Sequence, residues 1–205
     1  MLEIEVYCGG MFQTNGYLVT VGEKRYLFDA PGEVADWISQ SNRTIDGLIL
    51  THLHHDHILD AGLIQQKFGC PIWSHSEPTD ELTLISSLSQ MMGTDMSVDE
   101  FTIDHLIAGE TNLSLDGLDL SILHIPGHSP DSLTFQLNNE PVIIGGDVLF
   151  KGGIGRTDFP NGSHEQLIGG IKEKLWPLAD ETQVLPGHGP PTTIGEEKAT
   201  NPFLK

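Results

Sequence analysis

Apolar-rich, strand-like runs alternate with turns near the start of the chain, in LEIEVYCG, GYLVTVG and RYLFDAPG, each closed by glycine or a Pro-Gly pair. Short runs of this kind bounded by turn residues predict consecutive antiparallel strands. The pattern changes in EVADWISQSN, where Val34, Trp37 and Ile38 recur at helical spacing. IDGLILTH is a continuous apolar run of the kind a buried strand requires. HILDAGLIQQKFG sets Ile58, Ala61, Gly62 and Ile64 on one side of a helix that Gly69 stops. From Glu77 to Asp104 the chain is rich in Ser, Thr, Met and Asp, which predicts a short helix and a mobile flap. Strands return in TNLSLDG, LDLSILHIPG, SLTFQLN and PVIIGGD. Ser163 with Gln166 forms a capping box opening a helix to about Leu175, TQVLPGH is a last strand, and TIGEEKAT a last helical turn or two. Two rounds of strands, each followed by helices, predict an α/β protein of two sheets packed face to face with helices outside. No fixed repeat, low-complexity tract or linker interrupts it, so residues 1–205 are expected to form a single domain.

Composition narrows the partners. At 205 residues the chain is long enough to bury one substantial core. Lysine and arginine total 10 against 29 acidic residues, a formal charge of −19 that repels phosphate backbones and disfavours nucleic acid. No N-terminal signal peptide is visible, and no apolar run approaches the ~20 residues of a membrane span. Cys8 and Cys70 make neither a CxxC metal pair nor a disulfide framework, which suits a reduced cytoplasmic setting.

The chemistry concentrates in THLHHDHILD, Thr51 to Asp60. His52 and His54 are two apart after a buried strand, so both are able to point from its end toward one spot. Asp56 and His57 follow at the mouth of the next helix. Imidazoles and a carboxylate suit zinc, iron or manganese. His128 in IPGHSPDS, Asp147 in IIGGDVLF and His188 in VLPGHGPP each follow an apolar strand inside a glycine-containing turn. With His52, His54, Asp56 and His57 these make seven donors at strand ends, which fits two metals better than one. His52, His54 and His128 group around one ion, Asp56, His57 and His188 around the other, and Asp147 bridges them. Of the remaining histidines, His55 is expected to point away from its neighbours and His124 to be a hydrogen-bonded structural residue. His75, His105 and His164 are expected on the surface or the flap.

HLHHDH, PGHS, GGD and PGHGP, in this order, resemble the metallo-β-lactamase-fold hydrolases. GIGRTDFPNG and PGHGPPTTIGEEKATNPFL are similar to the glyoxalase II-like branch, in its small bacterial type without a C-terminal helical domain. The resemblance implies a four-layer αβ/βα sandwich with the metal site at the edge between the two sheets. It implies the same ligand division: His52, His54, His128 and Asp147 at the first site, and Asp56, His57, Asp147 and His188 at the second. Asp29, in LFDAPG, matches an early aspartate that serves as an acceptor behind the metal histidines.

A paired site of this kind shares a water and lowers its pKa toward neutrality, so the nucleophile is a metal-bridging hydroxide that Asp56 orients. A thiol of pKa about 8.5 can depart as thiolate, assisted by a metal, whereas an amine needs a proton for which the motifs offer no dedicated acid. Two divalent ions less two aspartates and one hydroxide leave roughly +1, favouring an anionic substrate. The expected activity is therefore hydrolysis of small anionic thioesters such as S-D-lactoylglutathione, with two divalent ions per chain, zinc first and iron or manganese as alternatives. Arg156 matches a basic position that in glyoxalase II contacts glutathione, and Lys151 lies close to it. Thr157 and Asp158 stand where glyoxalase II continues with a glutathione-binding aromatic residue, and Asp131 replaces a frequent glycine. A second reading is a mononuclear iron persulfide dioxygenase of the same fold. Those enzymes continue from the last motif histidine into Asp-Tyr, where Gly189 and Pro190 follow His188 here.

Overall fold

The computed structural model describes residues 2–41 and 43–205, so Asn42, the last residue of the first expected helix, lies outside the described residues, as does Met1. The chain divides into two compact units, Met1–Ala108 and Gly109–Lys205. Each contains one six-stranded sheet.

In the first unit β1 (Leu2–Gly9), β2 (Thr14–Val21) and β3 (Lys24–Phe28) form the antiparallel meander that the strand-like runs predict. β4 (Gly47–Ile49), β5 (Ile72–Ser74) and β6 (His105–Leu106) extend it in parallel, in the order β1-β2-β3-β4-β5-β6. Parallel neighbours need crossovers. These are supplied by α1 (Val34–Gln40), by α2 (Ala61–Phe68), and by α3 (Asp80–Thr83) with α4 (Ile85–Met92). Leu18, Leu27, Ile38, Leu48, Leu50 and Ile64 are the centre of this unit's core. At the start of α1 the Ala35 N–H donates to the buried Asp60 carboxylate at 2.9 Å. Burial raises the Asp60 pKa, and the backbone N–H groups of Ala35 and Glu33 oppose that rise.

The expected helix from His57 onward is broken. His55–His57 form a single 3₁₀ turn, and α2 begins only at Ala61. The intervening backbone is committed elsewhere: His57 O accepts from Ala30 N at 2.7 Å and Asp60 N donates to Ala30 O at 2.9 Å. The expected flap contains α3 and α4, and its later part is tied to α2, because Gln65 Nε2 donates to Thr102 O at 2.9 Å and Gln65 Oε1 accepts from Thr102 N at 3.0 Å.

The second unit is an antiparallel run of β7 (Asn112–Leu115), β8 (Leu118–His124), β9 (Leu133–Leu137) and β10 (Val142–Gly146). A small hairpin, β11 (Leu149–Phe150) and β12 (Gly153–Ile154), follows. Ser163 accepts from Gln166 N at 3.3 Å as the cap of α5 (His164–Gly170), which widens into a π turn over Ile171–Leu175. β13 (Gln183–Pro186) then pairs parallel with β10, β14 (Thr192–Thr193) pairs with β13, and α6 (Ile194–Thr200) closes the unit. Its core gathers Ile143, Leu149, Leu167, Ile171, Val184 and Ile194.

A fully buried carboxylate, Glu197, joins α6 to the small hairpin. It accepts from Thr192 Oγ1 at 2.6 Å, Asn201 Nδ2 at 2.7 Å and the Gly152 N–H at 3.0 Å. Truncation removes the acceptor that these groups share, at about 1–3 kcal/mol for each bond lost from the buried Thr192 and Asn201 side chains. Glu197→Ala is therefore expected to lower the unfolding free energy by about 3 kcal/mol in urea titration, with Glu197→Gln recovering part of it.

Candidate metal centre

The first unit's donors are organised by Asp29. This residue follows β3 in a left-handed conformation (φ 60°), fixed by its N–H donating to Ile49 O at 3.0 Å. Its Oδ1 accepts from Thr51 N at 2.8 Å, and its Oδ2 accepts from Thr51 Oγ1 at 2.8 Å and from His57 Nδ1 at 2.8 Å. All three residues are buried. A hydroxyl has one proton, and that of Thr51 goes to Asp29. The same oxygen, 3.1 Å from His52 Nδ1, is therefore an acceptor for that ring's N–H. In both rings Nδ1 carries the proton and Nε2 is left with a lone pair, the state a metal requires.

The lone pairs converge within the unit. His52 Nε2 is 3.1 Å from His54 Nδ1, and His57 Nε2 is 3.6 Å from Asp56 Oδ2. Donors held ~2.1 Å from a tetrahedral ion sit ~3.4 Å from one another, so both separations are those of ligand pairs. The Thr14 hydroxyl donates to Asp56 Oδ2 at 2.6 Å.

The second unit builds a matching set. β10 and β13 run parallel with Gly146 opposite Pro186, and Gly187 N donates to Gly146 O at 2.8 Å, so Asp147 and His188 leave the same end of the sheet. Asp147 Oδ2 lies 3.4 Å from His188 Nε2 and 3.4 Å from His128 Nε2, the position of an oxygen shared between two histidines. His128 Nδ1 donates to the Arg156 carbonyl at 2.8 Å, and since a carbonyl only accepts, its Nε2 again holds the lone pair. Two glycines admit this packing. A Cβ on Gly127 (φ 131°) would meet Leu167 N at 2.5 Å, and one on Gly155 would meet Asp147 O at 1.9 Å and His128 Cβ at 2.9 Å. After His128 the buried Asp131, at the frequent glycine position, accepts from the Ser129 hydroxyl.

The expected substrate cations both have acidic partners. Arg156 donates Nε and Nη2 to Asp158, each at 2.7 Å, and its guanidinium carbon lies 4.0 Å from the Phe159 ring centroid. The hydrogen bonds from the Arg156 guanidinium, more than its charge, hold the exposed Asp158 carboxyl at about 2. Lys151 Nζ is 3.3 Å from Glu196 Oε1. Of the other histidines, His55 is buried, and burial lowers its pKa against the pull of Ser97 and Asp56. His124 Nε2 donates to Pro130 O at 2.7 Å, His75 Nδ1 sits 2.7 Å from Ser76 Oγ, His105 stacks on Trp73 with centroids 4.8 Å apart, and His164 is exposed. Sequence reasoning passed over Thr14, Thr51 and the Arg156 carbonyl. Only Thr51 had a signal, its place directly before the histidine run.

Imidazoles with fixed tautomers and carboxylates at ligand spacing, carried on strand ends of two mixed sheets, define a divalent-metal protein of the metallo-hydrolase kind. The chain belongs to the metallo-beta-lactamase superfamily, whose family model matches residues 9–188. It is 41% identical over 211 residues to the hydroxyacylglutathione hydrolase GloC of Haemophilus influenzae, covering 99% of this chain and 98% of that protein. The crystal structure of the BLEG-1 B3 metallo-beta-lactamase superposes with a TM-score of 0.89 at 33% identity, covering 99% of this chain and 100% of that one. TTHA1623 in a di-iron-bound form superposes with a TM-score of 0.82 at 31% identity, covering 98% and 100%. The metallo-β-lactamase fold expected from the motifs is the fold of this chain.

Asp29→Asn tests the tautomer argument. An amide NH₂ turned toward His57 Nδ1 moves that ring's proton to Nε2 and removes its lone pair from the metal side. Competition with a chromophoric chelator is expected to show metal affinity lowered about 10–100-fold, with the circular dichroism spectrum unchanged.

Proposed function

We propose that the chain is a binuclear metal-dependent thioesterase that hydrolyses small anionic thioesters such as S-D-lactoylglutathione. The observation that carries this reading is Asp147 Oδ2, 3.4 Å from Nε2 of both His128 and His188. A carboxylate so placed suits a shared role at a paired site. In this reading the two units act as one domain. His52, His54, His128 and Asp147 would hold one ion, and Asp56, His57, His188 and Asp147 would hold the other. The 41% identity to an enzyme named hydroxyacylglutathione hydrolase supports the thioester class.

Bound divalent ions supply a hydroxide nucleophile at neutral pH and polarise the scissile carbonyl; zinc, iron and manganese all accept this N and O donor set. The chain's part is orientation. Asp29, Thr51 and the Arg156 carbonyl hold the His57, His52 and His128 rings to one tautomer. Asp56 would accept a hydrogen bond from the attacking hydroxide and so orient it. A thiolate leaves without protonation because its pKa is about 8.5, whereas an amine leaving group needs a general acid. Arg156 and Lys151 face the anionic carrier through the donors their acidic partners leave over. Among the described residues no helix is long and apolar enough to cross a membrane. Cys8 and Cys70 are free thiols, the latter with its pKa pushed up to about 11 by burial, which fits a reduced cytoplasmic setting, and the formal charge of −19 disfavours a nucleic-acid partner.

The test is hydrolysis of S-D-lactoylglutathione by metal-loaded protein, with Asp56→Ala alongside. Turnover is expected, and the substitution is expected to reduce kcat by ~10²–10⁴-fold. Absence of turnover, together with oxygen consumption on a glutathione persulfide, would move the assignment to the dioxygenase. Asp158→Asn releases Arg156 from its acidic partner and is expected to lower KM for the same substrate by about two- to fivefold at unchanged kcat, in low salt.

A further inference from the structure

Thr14 is the first residue of β2 and is buried, and its hydroxyl donates to Asp56 Oδ2 at 2.6 Å across 42 positions of sequence. That oxygen is the one lying 3.6 Å from His57 Nε2. We infer that Thr14 is a positioning residue that fixes the Asp56 carboxylate for the second metal site, an inference that rests on the proposed role of Asp56 as a ligand there.

The terminal torsion of an aspartate is broad and roughly two-fold, so an unrestrained carboxylate samples many planes. A threonine is stiff at χ1, and the Thr14 backbone is held opposite Gly9 in the β1–β2 ladder. The hydroxyl is thus delivered from a rigid element. A contact of 2.6 Å lies in the range of charge-assisted O–H···O⁻ bonds, about twice as strong as neutral ones. The proton takes one lone pair of Oδ2. The other lone pair of Oδ2, and Oδ1, then have fixed directions for an ion and for a water.

The test separates the proton from the shape. Thr14→Val keeps the volume and loses the donor, while Thr14→Ser keeps the donor and loses the methyl group. A packing role makes serine the harmful change; the positioning role makes valine harmful and serine benign. Ions per chain and stepwise affinities are read for zinc by competition with a chromophoric chelator, with circular dichroism as the control for folding. The expected result is that Thr14→Val weakens the second zinc about 10–100-fold and leaves the first in place, with Thr14→Ser close to the unsubstituted protein. Should Thr14→Val not fold, Thr14→Ala, which also lacks the proton, is read in its place. Two zinc ions bound as tightly by the valine variant as by the parent, or a loss seen only with serine, would overturn the inference while leaving the binuclear reading intact. A parent protein that takes a single zinc at saturation would overturn both.

Discussion

An imidazole has two nitrogens and one proton to place at neutral charge, and it offers a lone pair to a cation only if something else holds that proton. This constraint organises both halves of the chain. In the first unit Asp29 takes the His57 proton and, through the Thr51 hydroxyl, makes room for that of His52. In the second unit a backbone carbonyl, that of Arg156, does the same for His128. The devices differ, a carboxylate in one unit and a peptide oxygen in the other, but each leaves Nε2 bare. Much of the local backbone exists to bring these acceptors into place. Asp29 adopts a left-handed conformation directly after β3, and Gly155 lets the strand that follows Asp147 come close enough for the neighbouring carbonyl to reach His128.

Charge has the opposite distribution at the centre and at the rim. The chain has a formal charge of −19, and the two cations nearest the Asp147 motif in sequence are bound to acidic partners, Arg156 to Asp158 and Lys151 to Glu196. Exposed pairs of this kind contribute little to stability, on the order of 0–1 kcal/mol, so their effect is on the field a substrate meets. A rim that is neutralised pair by pair does not gather anions from a distance. In the proposed function it would leave the attraction to the bound divalent ions, which act at short range and on the reacting group itself. Such an arrangement would sort substrates by what they present to the metals more than by the charge of their distal end.

The large-scale frame was legible in the sequence because strand-like runs and turns alternate over long segments. The meander β1–β3, the run β7–β10 and the cap at Ser163 followed from those runs and from turn chemistry. The metal donors were legible because His52, His54, Asp56 and His57 crowd together directly after an apolar run, and His128, Asp147 and His188 each follow an apolar strand inside a glycine-containing turn. The two- and three-residue strands β5, β6, β11, β12 and β14 were not legible, since alternation has no meaning over so few residues and their pairing is decided by tertiary neighbours. The break before α2 was hidden for a related reason. The apolar pattern of HILDAGLIQQKFG is helical throughout, but the backbone groups of His57 and Asp60 are spent on Ala30, a contact 27 residues away at its nearer partner that no local period encodes. Thr14 was missed in the same way: a threonine at a strand start reads as ordinary β propensity, and only the fold brings it to Asp56.

These long-range contacts also explain why the donors occupy the positions they do. A strand end is where the backbone stops pairing with its neighbours, so a side chain there is placed with the accuracy of the sheet while its backbone is free to turn. Asp147 and His188 use adjacent parallel strands and inherit their common register, fixed by Gly187 N to Gly146 O at 2.8 Å. Asp56 and His57 lack a strand of their own and stand on a single 3₁₀ turn. It is there that the structure spends additional bonds, Ala30 to the His57 carbonyl, Asp29 to the His57 ring and Thr14 to Asp56. These long-range bonds, and not the short turn itself, hold the His57 ring and the Asp56 carboxylate to the tolerance that a ligand pair needs.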